Sequence, residues 1–313
     1  LSPIPVRDVV AALFGHGDPT TAAIVRSIRL PVVALGLWVG AVLGSGGAAL
    51  QSLLRNPLAD PYILGISGGA ALGAALVVVS ELPAALLPLA AIVGALVVVA
   101  LVHGVASSLP GGLDAPGAAT TLLLTGVVFN ALASAGIVLL HALIRPEQSH
   151  RLVLWMMGSL AADRASGPGL WIAIAVSIAA LAVVWRDAQA LRLLGLGDIE
   201  AASRGVDVAV IRRRVFLATS VAVGCAVAFS GLIGFVGLVV PHLVRLRIGD
   251  DPRFVIPAAA ALGAGFLVAA DGVARAGFLV AGSAIPVGAV TAAIGAPAFV
   301  ALLVLHLRRE GGP

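Results

Sequence analysis

The 313-residue sequence contains no lysine, only one cysteine and few aromatic residues, and just 11% of its residues are charged. A Walker A loop needs a lysine to hold the phosphates of ATP, so this chain cannot hydrolyse ATP through such a loop. The lone Cys225 excludes an internal disulfide. The sequence has no His-Glu-x-x-His motif and no paired carboxylates within an apolar run, and therefore gives no indication of a metal site or a cofactor site.

Apolar residues are abundant instead, at 60% of the chain, and the mean hydropathy is +1.11. Soluble domains are nearer about 45–50% apolar, because a globule must cover its surface with polar groups. About 20 apolar residues cross roughly 30 Å of hydrocarbon, so the composition allows roughly nine crossings. The sequence predicts an all-α, polytopic transmembrane helical bundle, with residues 1–313 forming a single transmembrane domain.

Nine apolar runs predict nine spans. They are Leu30–Leu54, Ile63–Val79, Pro83–Val105, Ala119–Ile144, Leu170–Trp185, Val215–Ser230, Gly234–Leu246, Phe254–Ala270 and Val287–Leu307. A shorter run, His150–Leu160, predicts a half-helix, because it is too short to span a bilayer. Nine spans with a cytoplasmic C-terminus leave the N-terminus outside, so we expect a tenth span ahead of Leu1.

The distribution of arginine predicts the orientation, because cytoplasmic loops of membrane proteins are enriched in positive charge. A cytoplasmic C-terminus places twelve arginines inside, namely Arg55, Arg186, Arg192, Arg204, Arg212, Arg213, Arg214, Arg245, Arg247, Arg253, Arg308 and Arg309. Seven then lie outside, namely Arg7, Arg26, Arg29, Arg145, Arg151, Arg164 and Arg275. This bias favours a cytoplasmic C-terminus and gives no support to nucleic-acid binding.

The longest polar stretch, residues 186–214, is cytoplasmic in this orientation. Its content of alanine, leucine and arginine, divided by Gly197 and Gly205, predicts one or two short helices. One interpretation is a docking surface for a partner protein. The other is an ordinary loop whose arginines only determine topology.

Glycines recur every four residues in two of the spans, at Gly36, Gly40 and Gly44 and at Gly65, Gly69 and Gly73. This spacing places them on one helix face, where small residues let two backbones approach closely. We therefore interpret them as helix-packing positions.

The residues give little support to two other function classes. Gly65-Ile-Ser-Gly68 resembles the Gly-x-Ser-Gly pattern of intramembrane serine proteases, but no histidine lies clearly at mid-membrane to act as a base. An ion-coupled secondary carrier usually places a carboxylate at the midplane. Here Asp271 and Arg275, four residues apart, are expected to neutralise each other near the outer end of their span.

Several stretches together carry a resemblance to a known family. They include Ile28-Arg-Leu-Pro31, Asn56-Pro-Leu-Ala-Asp-Pro61, Leu64-Gly-Ile-Ser-Gly-Gly-Ala70, Leu154-Trp-Met-Met-Gly158, Gly231-Leu-Ile-Gly-Phe-Val-Gly-Leu-Val-Val-Pro-His242, Pro286-Val-Gly288 and Gly295-Ala-Pro297. They extend over nearly the whole chain, and in them the sequence resembles the FecCD-type permeases. These permeases are membrane subunits of ABC importers for ferric siderophores, haem and cobalamin.

The resemblance implies ten helices per subunit and a homodimer in the bacterial inner membrane. It implies two ABC ATPase subunits, which would bind ATP and Mg²⁺, and a periplasmic or lipoprotein substrate-binding protein. The chain itself would be a permease rather than an enzyme, and its substrate would be a metal chelate. An ion-coupled secondary transporter is the alternative that remains.

The resemblance also suggests roles for particular residues. The loop 186–214 would couple to the ATPase through Leu196, Gly197, Asp198, Ala201, Arg204 and Gly205. Asn56, Leu58, Ala119 and Thr120 would form a cytoplasmic gate, although Asn56 could simply cap a helix end. Ser67, Asn130 and Ser134 would line the pathway, or else form hydrogen bonds between helices.

Arg26, Arg29 and Arg275 are placed outside, against the inside bias, and are expected to dock the binding protein. In the alternative interpretation they pair with Asp271 and with lipid headgroups. The chain departs from the family pattern at Val32, where a second arginine is frequent, and at Ala284, where a glutamate is frequent.

Overall fold

The computed structural model describes residues 4–14, 16, 18–115, 117–165, 167–281 and 285–310, and every regular element within these ranges is helical. The α-helices are α1 (Val6–Leu13), α2 (Pro19–Ile24), α3 (Leu30–Leu54), α4 (Ile66–Val79), α5 (Leu87–Ser108), α6 (Ala118–Leu143), α7 (Pro146–Met156), α8 (Pro168–Arg186), α9 (Ala188–Leu194), α10 (Asp198–Ser203), α11 (Val208–Ser230), α12 (Val236–Ile248), α13 (Pro252–Ala281) and α14 (Val287–Glu310). A π-helical turn, Val25–Arg29, joins α2 to α3, and short 3₁₀ turns, Ala84–Leu86 and Gly112–Asp114, precede α5 and α6.

All nine predicted spans contain a helix, which confirms the helical bundle. Within the described residues, five stretches are long and apolar enough to cross a membrane, namely Pro19–Leu54, Ala84–Ser108, Ala118–Leu143, Pro168–Arg186 and Pro252–Gly277. By contrast α4 has 14 residues and α12 has 13. At 1.5 Å per residue each covers only about 20 Å, so non-helical backbone must complete these two crossings.

The half-helix predicted over His150–Leu160 lies four residues earlier in the structure, where α7 runs over Pro146–Met156. It begins early because Pro146 occupies its first turn and the Gln148 Oε1 atom accepts the Arg145 backbone N–H at 3.0 Å. It ends early because Gly158 has φ +70°, a left-handed conformation that stops a helix.

Glycine contacts hold the bundle together, as the four-residue spacing predicted. In α3, Gly40 lies against Gly263 of α13, and Gly44 lies against Ala259. A Cβ atom at Gly40 or Gly44 would overlap the carbonyl oxygen of its partner. Because residue numbers rise along α3 as they fall along α13, the two helices are antiparallel and in direct backbone contact.

Ion pairs join several loops at one end of the bundle. Arg55 pairs with Asp198 at 3.0 Å, Arg192 lies 3.7 Å from Asp251, and Arg214 pairs with Asp187 at 3.1 Å. We call the surface formed by residues 55, 186–214 and 245–253 the arginine-rich face. It gathers most of the arginines that the charge bias places in the cytoplasm, while the side chains of Arg308 and Arg309 lie outside the described residues.

The opposite end of the bundle has its own polar contacts. Glu81 pairs with Arg145 at 3.0 Å, and Arg275 donates to the Leu160 carbonyl at 2.8 Å. The antiparallel register of α3 and α13 places Arg275 near the level of Arg29. The position that departs from the family pattern at Ala284 falls outside the described residues.

Candidate coupling and gate site

Two non-helical segments, residues 55–65 and 231–235, complete the short helices and pack against each other. The Ile233 N–H donates to the Tyr62 hydroxyl at 2.7 Å. Nearby, the Asp60 carboxylate is buried and accepts the Tyr62 N–H at 2.7 Å. Irregular backbone is tolerated at membrane depth only where protein or a water-filled cavity satisfies it. The two longest motifs of the sequence therefore meet inside the bundle.

The turn after α3 contains the first two predicted gate residues. Arg55 ends α3 with φ +49°, and the Asn56 side-chain oxygen accepts the Leu58 N–H at 2.9 Å. Leu58 is 45% exposed. Asn56 thus stabilises the turn that presents Leu58 and does not cap α3, whose C-cap residue is Arg55. The gate role of Asn56 and Leu58 stays a prediction.

The other two predicted gate residues lie in the first turn of α6, where Ala119 is buried and Thr120 is exposed. Their participation in a gate stays a prediction.

Helix α10 is attached to the rest of the protein by Asp198, at its first position. One carboxylate oxygen lies 3.0 Å from Arg55 and the other lies 3.1 Å from Arg212. The Arg212 side chain is 1% exposed and also donates to the Leu113 carbonyl. A single carboxylate therefore connects α10 to the end of α3, to α11 and to the segment before α6.

Asp198 was predicted from the sequence as a coupling residue, whereas neither of the two arginines that bind it was. Arg55 is 143 residues away in the chain, and only the fold brings it close. Arg212 sits in an arginine triplet whose residues look equivalent in the sequence. The available signal was an acidic residue at the first position of a short helix within an arginine-rich region.

Two large apolar side chains are exposed on α10 and just before it. Leu196 is exposed and Ile199 is 89% exposed, whereas Ala201 is fully buried. Ala201, predicted to contact the ATPase, therefore faces the protein interior, while Ile199 was not predicted. Arg204 pairs with Glu200 of the same helix at 2.6 Å.

Gly197 and Gly205 bracket α10 with φ +127° and +82°, as expected for the ends of a short helix. Their positions confirm the prediction of short helices divided by these glycines.

A cleft of about 530 Å³ opens beside α10 on the arginine-rich face. Its lining includes Gln51, Arg55, Arg192, Leu196, Arg245 and Asp251. A hydrogen bond from Arg253 lowers the pKa of Asp251, so this carboxylate is charged at neutral pH. The cleft thus presents both cations and an anion to a partner.

Gln51 connects α3 to α12 at the back of this cleft. Its side-chain N–H donates to the Gly237 carbonyl at 3.1 Å, and its Oε1 atom accepts from Arg245. Buried polar groups satisfied in this way rigidify the packing around them.

The predicted pathway residues divide into two inward positions and one outward position. Ser67 is buried and donates to the Tyr62 carbonyl at 3.1 Å, and the half-buried Asn130 lies against Gly68 of α4. Ser134 is exposed, and its hydroxyl donates to the Asn130 carbonyl at 2.8 Å. Ser67 and Asn130 make contacts within the subunit, and Ser134 faces outward.

The predicted docking arginines are engaged within the chain. Arg26 donates to the carbonyls of Ala12 and Leu13 at 2.8 and 3.1 Å, which caps the end of α1. Arg275 lies 2.6 Å from Asp271, as the four-residue spacing predicted. Arg275 remains 40% exposed at its side chain, so binding of an external partner stays a prediction.

Comparisons with known proteins agree with this architecture. The model of the FecCD transport family matches residues 1–305. The hemin transport system permease protein HmuU of Yersinia pestis is 39% identical over 294 residues, covering 91% of this chain and 84% of that protein. The cobalamin import system permease protein BtuC of Halobacterium salinarum is 40% identical over 297 residues, covering 94% and 77%.

A solved structure assigned to the metal-chelate type of ABC transporter, in an inward-facing conformation, has the same fold. Its TM-score is 0.80 at 31% identity, and the match covers 95% of this chain and 96% of that one. Sequence and fold thus agree over almost the whole chain. The chain is a multi-pass membrane protein that belongs to the FecCD transport family.

Proposed function

We propose that the chain is the permease subunit of an ABC importer for a metal chelate of the siderophore, haem or cobalamin type. The observation that carries this proposal is the attachment of α10 to the turn at Asn56 through the Asp198–Arg55 pair. The relatives' names, hemin and cobalamin permeases, support the substrate class. Because the sequence contains no lysine, a Walker A loop that hydrolyses ATP would have to belong to a separate subunit.

In this proposal α10 and the cleft beside it form the docking site for an ATPase subunit on the cytoplasmic side of the inner membrane. Exposed apolar Ile199 and Leu196 supply the contact, and the charged cleft orients it. A push on α10 would pass through Asp198 to Arg55, whose next residue is Asn56. A short rigid helix transmits such a displacement, which a flexible loop would absorb.

A homodimer would place the pathway between two copies of the chain. Val127, Ser134 and Val138 share an exposed side of α6. A weakly polar wall of this kind suits a bulky chelate, since selectivity then resides in the substrate-binding protein.

The proposal is tested by reconstitution in proteoliposomes with the cognate ATPase and binding protein. We expect uptake of haem, cobalamin or a ferric siderophore only when ATP is present on the ATPase side. Uptake driven by an ion gradient in liposomes lacking the ATPase would instead establish the secondary carrier.

An insertion at Gly197 should separate hydrolysis from transport. A three-residue Gly-Ser-Gly insertion would let α10 move relative to α9, because it interrupts the backbone hydrogen bonds of Gly197 to Leu194 and Ala201. A Cβ atom at Gly197 would meet nothing within 4 Å, so the insertion has room. We expect ATP hydrolysis to persist while uptake falls at least about ten-fold, a change of about 1.4 kcal/mol in coupling. The same insertion at Gly167, also in open space but far from α10 in sequence, is the control. Unchanged uptake after the Gly197 insertion would contradict the coupling role.

Cross-linking at Leu58 should block transport if the turn is a gate. In a Cys225→Ala background, Leu58→Cys in two neighbouring subunits would be joined by a short bifunctional thiol reagent. We expect uptake to stop and to recover when a reducible linker is cleaved. Leu246→Cys, another exposed leucine near the arginine-rich face, serves as the control. Equal inhibition of both variants would show that the effect is not specific to the turn.

Charge reversal at Arg29 and Arg275 should weaken association with the binding protein. Exposed ion pairs contribute about 0.2–1 kcal/mol each, so several pairs in a two-fold assembly amount to roughly ten-fold in affinity. We expect the double glutamate variant to lose affinity and salt dependence while ATPase assembly is retained. Arg7→Glu, a highly exposed arginine of α1, is the matched control. Unaltered affinity would mean that the two arginines only anchor the protein in the membrane.

A further inference from the structure

A small pocket with three polar side chains in its lining lies between α5 and α11, apart from the coupling and gate residues. Its volume is about 190 Å³, and it is lined by His103, Ser107, Leu113, Ala209, Val210 and Arg213. The Nδ1 atom of His103 is buried there without a hydrogen-bond partner within the part of the chain that the structure describes. A buried imidazole nitrogen without a partner is costly, so a hydrogen-bonding group bound in this pocket would stabilise it.

Arg213 differs from both of its neighbours in the arginine triplet. Arg212 pairs with Asp198 and Arg214 pairs with Asp187. Arg213 is exposed, lines the pocket and has no carboxylate within 4.0 Å among the described residues. Asp114, which follows a lining residue in sequence, is exposed and does not line the pocket. The pocket therefore carries an uncompensated positive charge.

An exposed apolar stripe leads from this pocket along α5. Leu89, Val93, Leu96 and Ala100 recur on the helix face that also carries Ser107, and all four are exposed. Since α5 ends at Ser108 near the arginine-rich face, the stripe runs along the outside of α5 from the pocket toward the opposite end of the bundle. The pocket thus lies at the end of an exposed apolar surface on a helix that is long and apolar enough to cross a membrane.

We propose that this pocket binds the phosphate group of an anionic phospholipid from the adjoining leaflet. Arg213 and the Ser107 hydroxyl would donate to phosphate oxygens, and His103 would donate through whichever ring nitrogen carries its proton. The acyl chains would lie along the α5 stripe. Basic pockets between membrane helices are suited to such headgroups, because arginine contributes both charge and directed hydrogen bonds.

The test measures stabilisation by lipid, using the single buried cysteine as the reporter. Purified, delipidated protein in detergent is heated with a thiol-reactive fluorogenic dye that labels Cys225 as the fold opens. Phosphatidylglycerol, phosphatidylcholine and inorganic phosphate are titrated in separate series. The variants are Arg213→Gln, His103→Phe and, as a control for lost surface charge, Arg247→Gln.

We expect phosphatidylglycerol to raise the midpoint of the wild-type protein and of Arg247→Gln equally. Arg213→Gln should need about five times more lipid for the same rise, and His103→Phe should also need more. An equal response of Arg213→Gln and the wild-type protein would overturn the site. An equal effect of phosphatidylcholine would overturn the requirement for an anionic lipid. Stabilisation by inorganic phosphate alone would show that the pocket binds free phosphate rather than the phosphate group of a lipid.

Discussion

The substitution Gly263→Ala is expected to disrupt the bundle, whereas Gly265→Ala, two residues along the same helix, should leave it intact or slightly stabilise it. A Cβ atom at Gly263 would overlap the carbonyl oxygen of Gly40 in α3, and a backbone atom cannot rotate away. A Cβ atom at Gly265 would meet nothing within 4 Å. Overpacking typically costs about 1–3 kcal/mol and is more severe against backbone, while exposed glycine in a helix costs up to about 1 kcal/mol relative to alanine.

The measurement is thermal unfolding in detergent, followed by labelling of Cys225, together with the yield of monodisperse protein. We expect Gly263→Ala to lower the free energy of unfolding by at least about 3 kcal/mol, because the α3–α13 contact must open along its length. Similar midpoints for the two variants would show that the helices are not in backbone contact at Gly40.

The substitution Asp198→Ala should abolish coupled transport in the reconstituted importer. It breaks both ion pairs that hold α10, and it leaves the buried Arg212 guanidinium with a carbonyl as its remaining partner. Removing one member of a buried pair costs about 3–5 kcal/mol, a cost reduced here because Asp198 is 22% exposed. We expect a loss of uptake of more than about ten-fold, with ATP hydrolysis released from its dependence on substrate.

The matched control is Glu200→Ala in the same short helix. It breaks only the Arg204 pair, in which both side chains are about half exposed, and such pairs contribute about 0.3–0.5 kcal/mol. Hydrogen exchange of α10 in the isolated permease provides a readout that does not depend on transport. Faster exchange in Asp198→Ala without loss of uptake would show that the ion pairs stabilise α10 but do not transmit motion. Loss of uptake in both variants would show that transport depends on the exposed surface of α10 rather than on these ion pairs.

The helical architecture was largely predictable because lipid imposes strong rules on sequence. Apolar runs must be helical to satisfy their backbone, and glycine at four-residue spacing allows close helix contact. Gly40 and Gly44 therefore lie at a helix crossing, as predicted. The ends of α7 were not predictable from hydropathy, since Gln148 and Gly158 determine them through local hydrogen bonding and backbone conformation.

Details of the coupling region were less predictable, because they depend on which distant residues meet. The glycines at 197 and 205 indicated the ends of α10, but not which of its sides faces inward. Ala201 and Ile199 are both apolar residues of this short helix, yet Ala201 is buried and Ile199 is exposed. In a short helix the buried side depends on neighbouring helices rather than on the local pattern.

The sequence by itself determined that the chain crosses a membrane repeatedly, that it contains no lysine for a Walker A loop, and that glycine packs the helices. These properties follow from composition and local spacing, which need no knowledge of the fold. Only the tertiary structure decided that Asp198 binds Arg55 and Arg212, and that residues 55–65 pack against residues 231–235. The contacts of Asp198 with Arg55 and of Tyr62 with Ile233 join positions more than a hundred residues apart. The sequence carries no local signal of which distant groups will share a bond, nor of which arginine in the triplet Arg212–Arg214 binds Asp198.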